Sequence, residues 1–349
     1  MTRALDGNFF EDFSLGQSLI HATPRTLTEG DVAIYLALTG SRFTPQCSRP
    51  LALAMGYRDM PVDDLLAFHI AFGKTVPDIS LNAVANLGYA EGRFLMPVYA
   101  GDTLTASSEV IGLKQNSNGK TGVVTVRTTG VNQLDEAVLS YVRWVMVNKR
   151  TESASASPGA TPSLQANVIP SQLVLPGELD FSNYDFEQAG SPHAFEDYRT
   201  GEKIDHVDGM TVEEAEHQMA TRLYQNNARV HFDAMRQKES RFGRRLVYGG
   251  HVLSIARALS FNGLGNAFHI AAINGGRHVA PLFSGDTVYA WSEIVEKADP
   301  PGRVDAGALR IRTVATKDRP CGGFPYRTAD GNYDPAVLLD FDYWALTPR

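Results

Sequence analysis

The chain has 349 residues, a length that favours two domains, and it carries a formal net charge of -7. This acidic balance argues against nucleic acid or an anionic membrane surface as a partner. Hydrophobic residues make up 43% and charged residues 20% of the chain, which excludes a wholly disordered protein. The two cysteines, Cys47 and Cys321, lie in no metal-ligand spacing, so the sequence predicts neither a disulfide scaffold nor a metal site.

The beginning of the chain, Met1 to Glu11, carries charges of both signs and no apolar core, unlike a signal peptide. No run of the sequence approaches the roughly 18 apolar residues that a membrane-spanning helix needs. We therefore expect a protein of the reducing cytoplasm, with no membrane among its partners.

One sequence pattern occurs twice. Phe10-Glu11-Asp12-Phe13 returns in the second half of the chain as Phe195-Glu196-Asp197-Tyr198, and the segment 97–103 returns at 281–287 in almost the same register. This near-constant offset predicts two fused copies of one domain. The predicted boundaries are 1–149 for the first copy, 150–189 for a linker rich in Ser, Ala and Pro that has no core of its own, and 190–349 for the second copy.

Within each copy, the pattern predicts two helices followed by strands. Thr26 with Glu29, and Thr211 with Glu214, have the spacing of capping boxes that open a first helix. A second, more apolar helix is expected to be buried, and the strands after it are β-branched or alternating. This is an α+β layout, in which an antiparallel sheet wraps one buried helix. The predicted buried helices are about 62–74 and 249–262, the clearest strands are 288–295, 308–314 and 337–346, and a surface loop is expected at 319–335.

The repeated Pro-x-x-x-Gly-Asp-Thr signature, at Pro97 and Pro281, with a buried helix upstream resembles the hot-dog fold. More specifically, the chain resembles the MaoC-like, R-specific enoyl-CoA hydratases in their tandem double-hot-dog form. That family carries Gly-Asp-x-Asn-Pro-x-His after its first helix, with the Asp and His five residues apart. Here His231 stands in the His position, whereas Asn226 replaces the Asp. The first copy has Ser41 and Gln46 at these positions, so we expect it to be catalytically silent.

The segment 224–233 is most similar to the mesaconyl-CoA hydratases, also called β-methylmalyl-CoA dehydratases, as are the chain length and Tyr248-Gly249-Gly250-His251. This resemblance implies reversible hydration of an enoyl-CoA thioester, mesaconyl-CoA, to β-methylmalyl-CoA. It implies no metal or redox cofactor, because CoA is part of the acyl-CoA substrate. The fused pair already forms the two-copy unit that single hot dogs make by dimerising, which leaves room for a further homodimer.

For the chemistry, His231 is the natural general base, since the pKa of histidine lies close to working pH. The Asn226 amide can orient the attacking water but cannot exchange a proton, and Asp233 is the other candidate acid. Open amides at the start of the buried helix, at Gly249 or Gly250 next to Tyr248, would stabilise the thioester oxygen.

The remaining site predictions concern the rest of the substrate. A mesaconyl group carries a free carboxylate that needs a cation, for which Arg229 is the first choice and Arg245 the second. The CoA pantetheine would run near Asn274 to Arg277, mostly through backbone contacts.

Structural roles compete with some of these assignments. Asn226 could be a left-handed residue that ends a helix, Asp233 is more typical of a structural carboxylate, and His251 of a core residue. Asp102 and Asp286 recur in both copies, which indicates that they shape a turn.

Two other functions stay open at the level of sequence. One is an acyl-CoA thioesterase, for which Asp63 and Asp64 are the candidate carboxylates. The other is a non-catalytic acyl-CoA binder, in which both copies have lost activity.

Overall fold

The computed structural model describes residues 6–152 and 158–349. Part of the predicted linker, residues 153–157, and the first five residues lie outside this range. No helix in the described part of the chain is long and apolar enough to cross a membrane. The helices are α1 Glu29–Thr39, α2 Thr44–Cys47, α3 Arg49–Ala54, α4 Asp64–Thr75, α5 Glu214–Leu223, α6 Arg229–Phe232, α7 Ala234–Gln237, α8 Gly249–Leu259 and α9 Phe261–Leu264.

The strands form one antiparallel sheet, in the order β1-β3-β4-β5-β2-β7-β10-β9-β8-β6. Its right half repeats the order of its left half in reverse, which confirms the predicted duplication. The halves meet where β2 pairs with β7, with Tyr89 opposite Gly276 and Gly92 opposite Ile273. The strands are β1 Ser18–Thr26, β2 Ala83–Phe94, β3 Thr103–Gln115, β4 Thr121–Val131, β5 Ala137–Asn148, β6 Lys203–Thr211, β7 His269–His278, β8 Thr287–Ala298, β9 Ala306–Lys317 and β10 Val337–Pro348.

The two predicted apolar helices are α4 and α8, and both are buried against the sheet. Their side chains share one hydrophobic cluster that runs across both halves of the sheet. Because burial of apolar surface drives folding, the sheet curves around this helix pair. The predicted α+β class and the sheet wrapped around a buried helix in each half are confirmed.

The predicted capping boxes are wrong by two residues. Thr26 and Thr211 are the last residues of β1 and β6, and their hydroxyls bond Thr103 and Thr287 on the neighbouring strands. Helix α1 instead begins after Thr28, whose backbone N–H donates to the Asp31 carboxylate at 2.8 Å. The strand therefore continues further than the sequence pattern suggested, since each threonine has a cross-strand partner.

The recurring Gly-Asp-Thr segment shapes a turn in both halves, as predicted. Asp102 accepts a hydrogen bond from the Tyr99 N–H at 2.8 Å, and Asp286 accepts one from the Phe283 N–H at 2.9 Å. The glycine before each aspartate has a positive φ, 98° at Gly101, which glycine adopts without strain.

The expectation that the linker has no packed core is wrong for its described part. Val168, Leu173 and Phe181 are buried and join hydrophobic clusters with residues of the two folded halves. The Trp344 indole N–H donates to the Val168 carbonyl at 2.8 Å. The sequence missed this packing because the apolar residues of the linker follow no regular period. The insertion 319–335 lies between β9 and β10 as expected.

Candidate active site

His231 lies on the short helix α6, between α5 and the buried helix α8. Its Nδ1 donates to the Leu246 carbonyl at 3.0 Å, so the imidazole carries its proton on Nδ1 and its Nε2 keeps a free lone pair. Burial lowers the pKa of His231 to about 4. The ring is therefore neutral near pH 7 and able to accept a proton. Its edge faces the Tyr248 ring, with the centroids 5.5 Å apart.

Tyr248 is the residue before α8, and the helix begins at Gly249 and Gly250. The first N–H groups of a helix have no partner within the helix, and nothing in the described residues accepts from these two glycine amides. There is also no room for a side chain at either position. A Cβ at Gly249 would lie 2.6 Å from His278 Nδ1, and one at Gly250 would lie 2.6 Å from His69 Cε1. Two open amides are thus held at the positive end of a helix dipole.

The first half supplies two of the side chains that hold this segment. His69, on α4, bonds the Ser254 hydroxyl through Nε2 at 2.9 Å, and its Nδ1 lies 3.5 Å from the Tyr248 hydroxyl. The hydroxyl of Tyr89, on β2, bonds His278 Nε2 at 3.1 Å. No pattern in the sequence points to a role for either residue. The half without the family's histidine therefore helps to position the start of α8.

Histidines surround this site. Besides His231, four histidines interact electrostatically with one another here, and burial lowers the pKa of each; they are His69, His217, His251 and His278. The first copy has Val32, Leu66 and Phe94 where the second has three of these. A comparison of the two copies position by position would have revealed these three, because a histidine that replaces an apolar core residue indicates a specific role.

Asn226 is buried, and its Oδ1 accepts the Ala228 N–H at 3.1 Å. The alternative role as a left-handed helix end is wrong, because Gln225 has the positive φ, 53°, at that helix end. No bond from the Asn226 Nδ2 occurs among the described residues, so the amide offers a donor. Asp233 caps α7 by accepting the Arg236 N–H at 3.0 Å, as expected for a structural carboxylate.

The two arginines predicted to bind a carboxylate differ in how they are engaged. Arg245 pairs with Glu214 and donates to the Phe232 carbonyl at 3.1 Å. Arg229 is half-buried at the first residue of α6. The structure thus places one of them in an ion pair of its own.

A solvent-open pocket of about 740 Å³ lies where β2 and β7 separate beyond their paired stretch. Its lining includes Tyr89 and His278, so the pocket reaches the ring that covers Gly249. Asn274 and Arg277, both predicted to border the pantetheine, also line it. The Asn274 side chain is already bonded to the Val168 N–H and to Asp342, which leaves its backbone to face a ligand.

The equivalent position in the first half is filled by carboxylates. Asp63 precedes α4 and accepts the Leu65 N–H at 2.9 Å, while burial raises the pKa of Asp63 to about 6. Asp64 bonds the Ile270 N–H at 2.8 Å and lies 3.1 Å from His269. Both carboxylates therefore have structural partners. Neither is the exposed nucleophile or base that a thioesterase would use here.

Comparison with known proteins gives the family. The family model described as mesaconyl-CoA hydratase matches residues 2–326. The chain belongs to the mesaconyl-CoA hydratase family. A family member from Chloroflexus aurantiacus, named beta-methylmalyl-CoA dehydratase, is 63% identical over 98% of this chain and 97% of its own length. The mesaconyl-CoA hydratase of Cereibacter sphaeroides is 58% identical over 98% of each chain.

Solved structures agree with the fold. A MaoC domain dehydratase structure from Chloroflexus aurantiacus superposes with a TM-score of 0.98 at 62% identity, covering 100% of this chain and 99% of the other. A Mycobacterium tuberculosis protein described as a double hotdog fold gives a TM-score of 0.73 at 25% identity, covering 98% of this chain and 99% of that chain. The predicted double hot-dog architecture is therefore confirmed for this member of the mesaconyl-CoA hydratase family.

Proposed function

We propose that this protein catalyses the reversible hydration of mesaconyl-CoA to β-methylmalyl-CoA at the site around His231. The observation that carries the proposal is a neutral histidine with a free Nε2, held beside two unpartnered helix amides. A base next to an oxyanion site is what addition of water to an enoyl thioester requires. The names of the relatives that are 63% and 58% identical support the same reaction.

His231 acts first as base and then as acid. Its Nε2 takes a proton from water as the water oxygen bonds the β-carbon, and negative charge moves onto the thioester oxygen. The imidazolium then returns that proton to the α-carbon, which restores the thioester and leaves His231 neutral. One water is added, and no other reactant is needed. The Leu246 carbonyl keeps the ring in the tautomer that this cycle uses.

The thioester oxygen accepts from the Gly249 and Gly250 amides, whose donors are already aligned by α8. The acyl-CoA reaches them through the pocket between β2 and β7, with the pantetheine along the backbone of 274–277. Tyr248 packs beside His231 and forms the wall of the acyl site.

Asn226 orients the attacking water through its Nδ2, because its Oδ1 is occupied by the Ala228 N–H. Asp233 takes no part in proton transfer in this scheme, since its carboxylate caps α7. An Asn226→Ala variant is expected to lose about 10-fold in kcat, the equivalent of one hydrogen bond.

The direct test mixes the protein with mesaconyl-CoA and follows the enoyl-thioester absorbance alongside a thiol reagent. Loss of the conjugated band without release of thiol is the expected result. Thiol release would show a thioesterase instead, and tight binding without change in either signal would show a binder. Starting from β-methylmalyl-CoA, the band should appear, since the reaction is reversible.

A further inference from the structure

Among the described residues, each half of the molecule buries one guanidinium beneath the sheet. Arg143 lies on β5 and is 0% exposed, and Arg257 lies on α8 and is 4% exposed. Arg143 sits over the Phe72 ring of α4, 4.3 Å from its centroid, and Arg257 lies 5.6 Å from the Tyr343 ring centroid. Both contacts join the buried helix of one half to the sheet beneath it.

These two contacts join equivalent positions of the repeat, but the arginine and the aromatic residue have exchanged places. Phe72 and Arg257 occupy one position of the repeat, on α4 and on α8. Arg143 pairs with Tyr89 across the strands, and Tyr343 pairs with Ile273, which is the repeat equivalent of Tyr89. The cation is thus on the strand in the first half and on the helix in the second. The repeat supplies a matched pair of buried arginines.

The two guanidinium groups differ in their acceptors. Arg257 is held by the Ser260 hydroxyl at 3.0 Å and by the Ala267 carbonyl. Arg143 donates from Nη2 to the Thr75 hydroxyl at 2.7 Å and to the Ser80 hydroxyl at 3.4 Å, but its Nε and Nη1 have no partner among the described residues. No carboxylate in the same part of the chain pairs with it. Burial of a cation without a counter-ion costs free energy through desolvation. This cost is reduced if an anionic ligand binds beside Arg143.

Arg143 has neighbours in common with the site proposed for the thioester. Tyr89 stands opposite it on β2, and the Tyr89 hydroxyl bonds the His278 ring that covers Gly249. Tyr248 also interacts electrostatically with the guanidinium. Arg143 and the start of α8 thus share two aromatic neighbours, Tyr89 and Tyr248, so a short acyl group bound at the α8 amides extends towards the side of the site where Arg143 is buried.

We propose that Arg143 recognises the free carboxylate of the acyl group, and so makes the site specific for a short dicarboxylic chain. This proposal rests on the proposed function. It assigns this role to Arg143 in place of Arg229, the first choice from the sequence, and of Arg245, whose guanidinium pairs with Glu214. Two unpaired N–H groups suit a carboxylate, which can accept both. An aliphatic chain end would leave those donors unsatisfied, so the site disfavours it.

The test compares two substrates that differ only at that end of the chain. Mesaconyl-CoA carries a carboxylate where 2-methylcrotonyl-CoA, in its E form, carries a methyl group. In Arg143→Met, kcat/KM for mesaconyl-CoA should fall by about 1,000-fold while that for 2-methylcrotonyl-CoA holds or rises. The ratio of the two values is the readout, because a general loss of structure lowers both alike.

Arg257→Met is the matched control, since it removes the equivalent buried guanidinium from the other half. It is expected to lower stability and leave the substrate ratio unchanged. Should Arg143→Met not fold, Arg143→Lys keeps the charge and loses the planar group, and the ratio should still fall, by about 10-fold.

An unchanged ratio in the Arg143 variants would overturn the proposal, and so would a change of ratio in Arg229→Met instead. Failure of the proposed function looks different. In that case the wild-type protein itself does not hydrate mesaconyl-CoA, whereas hydration of both substrates without a preference that depends on Arg143 contradicts only the role of Arg143.

Discussion

The beginnings of the two buried helices carry opposite chemistry in the two halves of the molecule. In the first half, the Asp63 carboxylate accepts the Leu65 N–H. The equivalent amide in the second half belongs to Gly250, and the residue at the Asp63 position is Tyr248. One helix carries its own anion, whereas the other leaves its amides open for one. Ligand binding at a helix start therefore requires removal of the capping acid as much as the presence of a base.

Side chains that are present at equivalent positions in both halves form structural networks. His21 and His206 occupy equivalent positions of the repeat, and each bonds a serine hydroxyl through Nε2 at 2.8 Å, from Ser108 and Ser292. Because these networks occur both in the half proposed to be catalytic and in the half that lacks the family's histidine, they indicate structural roles. Residues present in one half only, such as His231, are the ones that indicate chemistry.

The sharpest way to separate the halves is to remove the proposed base. His231→Ala should lower kcat/KM for mesaconyl-CoA by about 1,000-fold, since a positioned base contributes on that order. Gln46→Ala, at the equivalent position of the first half, is the control and should retain wild-type activity. Equal losses in the two variants would mean that the first half also carries chemistry.

The capping acid of the first half can be moved to the second. Tyr248→Asp should let the new carboxylate occupy the Gly250 amide and lower kcat by about 100-fold, the cost of losing one oxyanion donor. Tyr248→Ala removes the ring without adding a carboxylate, and it should lose clearly less activity. If Tyr248→Asp were no worse than Tyr248→Ala, the open amides would have no catalytic part.

The buried histidines make stability depend on pH. In the folded protein, burial lowers the pKa values of His206, His231, His251 and His278 to about 4, against about 6.5 in an unfolded chain. The unfolded state therefore binds more protons between these values. The free energy of unfolding should be highest above about pH 6.5 and should fall as the pH drops towards 4. Urea unfolding at several pH values measures this.

The shared network should affect stability and not turnover. His206→Ala removes the bonds to Ser292 and to the Asn262 carbonyl, and should lower the free energy of unfolding by about 1–3 kcal/mol. Its kcat at a temperature where the variant is folded should match the wild type. A specific loss of kcat would contradict the structural role of this histidine.

The smallest effect is expected at the repeated turn. Asp286→Ala removes the carboxylate that accepts the Phe283 N–H and should cost about 1 kcal/mol of stability. Asp102→Ala should cost more, because Asp102 also binds Arg58 and the Gln133 amide. Thermal unfolding of the two variants gives the order, and a loss of activity without unfolding in Asp286→Ala would contradict the turn role.

The sequence by itself determined the duplication, the buried helices, the Gly-Asp-Thr turns and the position of His231. Each of these follows from local pattern: the near-constant offset between the copies, an apolar stretch, a turn-forming triplet, and a histidine that follows Asn226 at the family's spacing. Such signals are carried by neighbouring residues, so they can be read without knowing what packs against them.

Only the tertiary structure showed that side chains of the first half hold the start of α8 in the second half. His69 and Tyr89 are distant in sequence from α8, and they reach it because β2 pairs with β7 and because α4 packs beside α8. The missing partners of Arg143 could not be inferred either, since an arginine in a strand is ordinarily at the surface. Contacts between the halves depend on how two folded copies pair, and no local pattern in either copy contains that information.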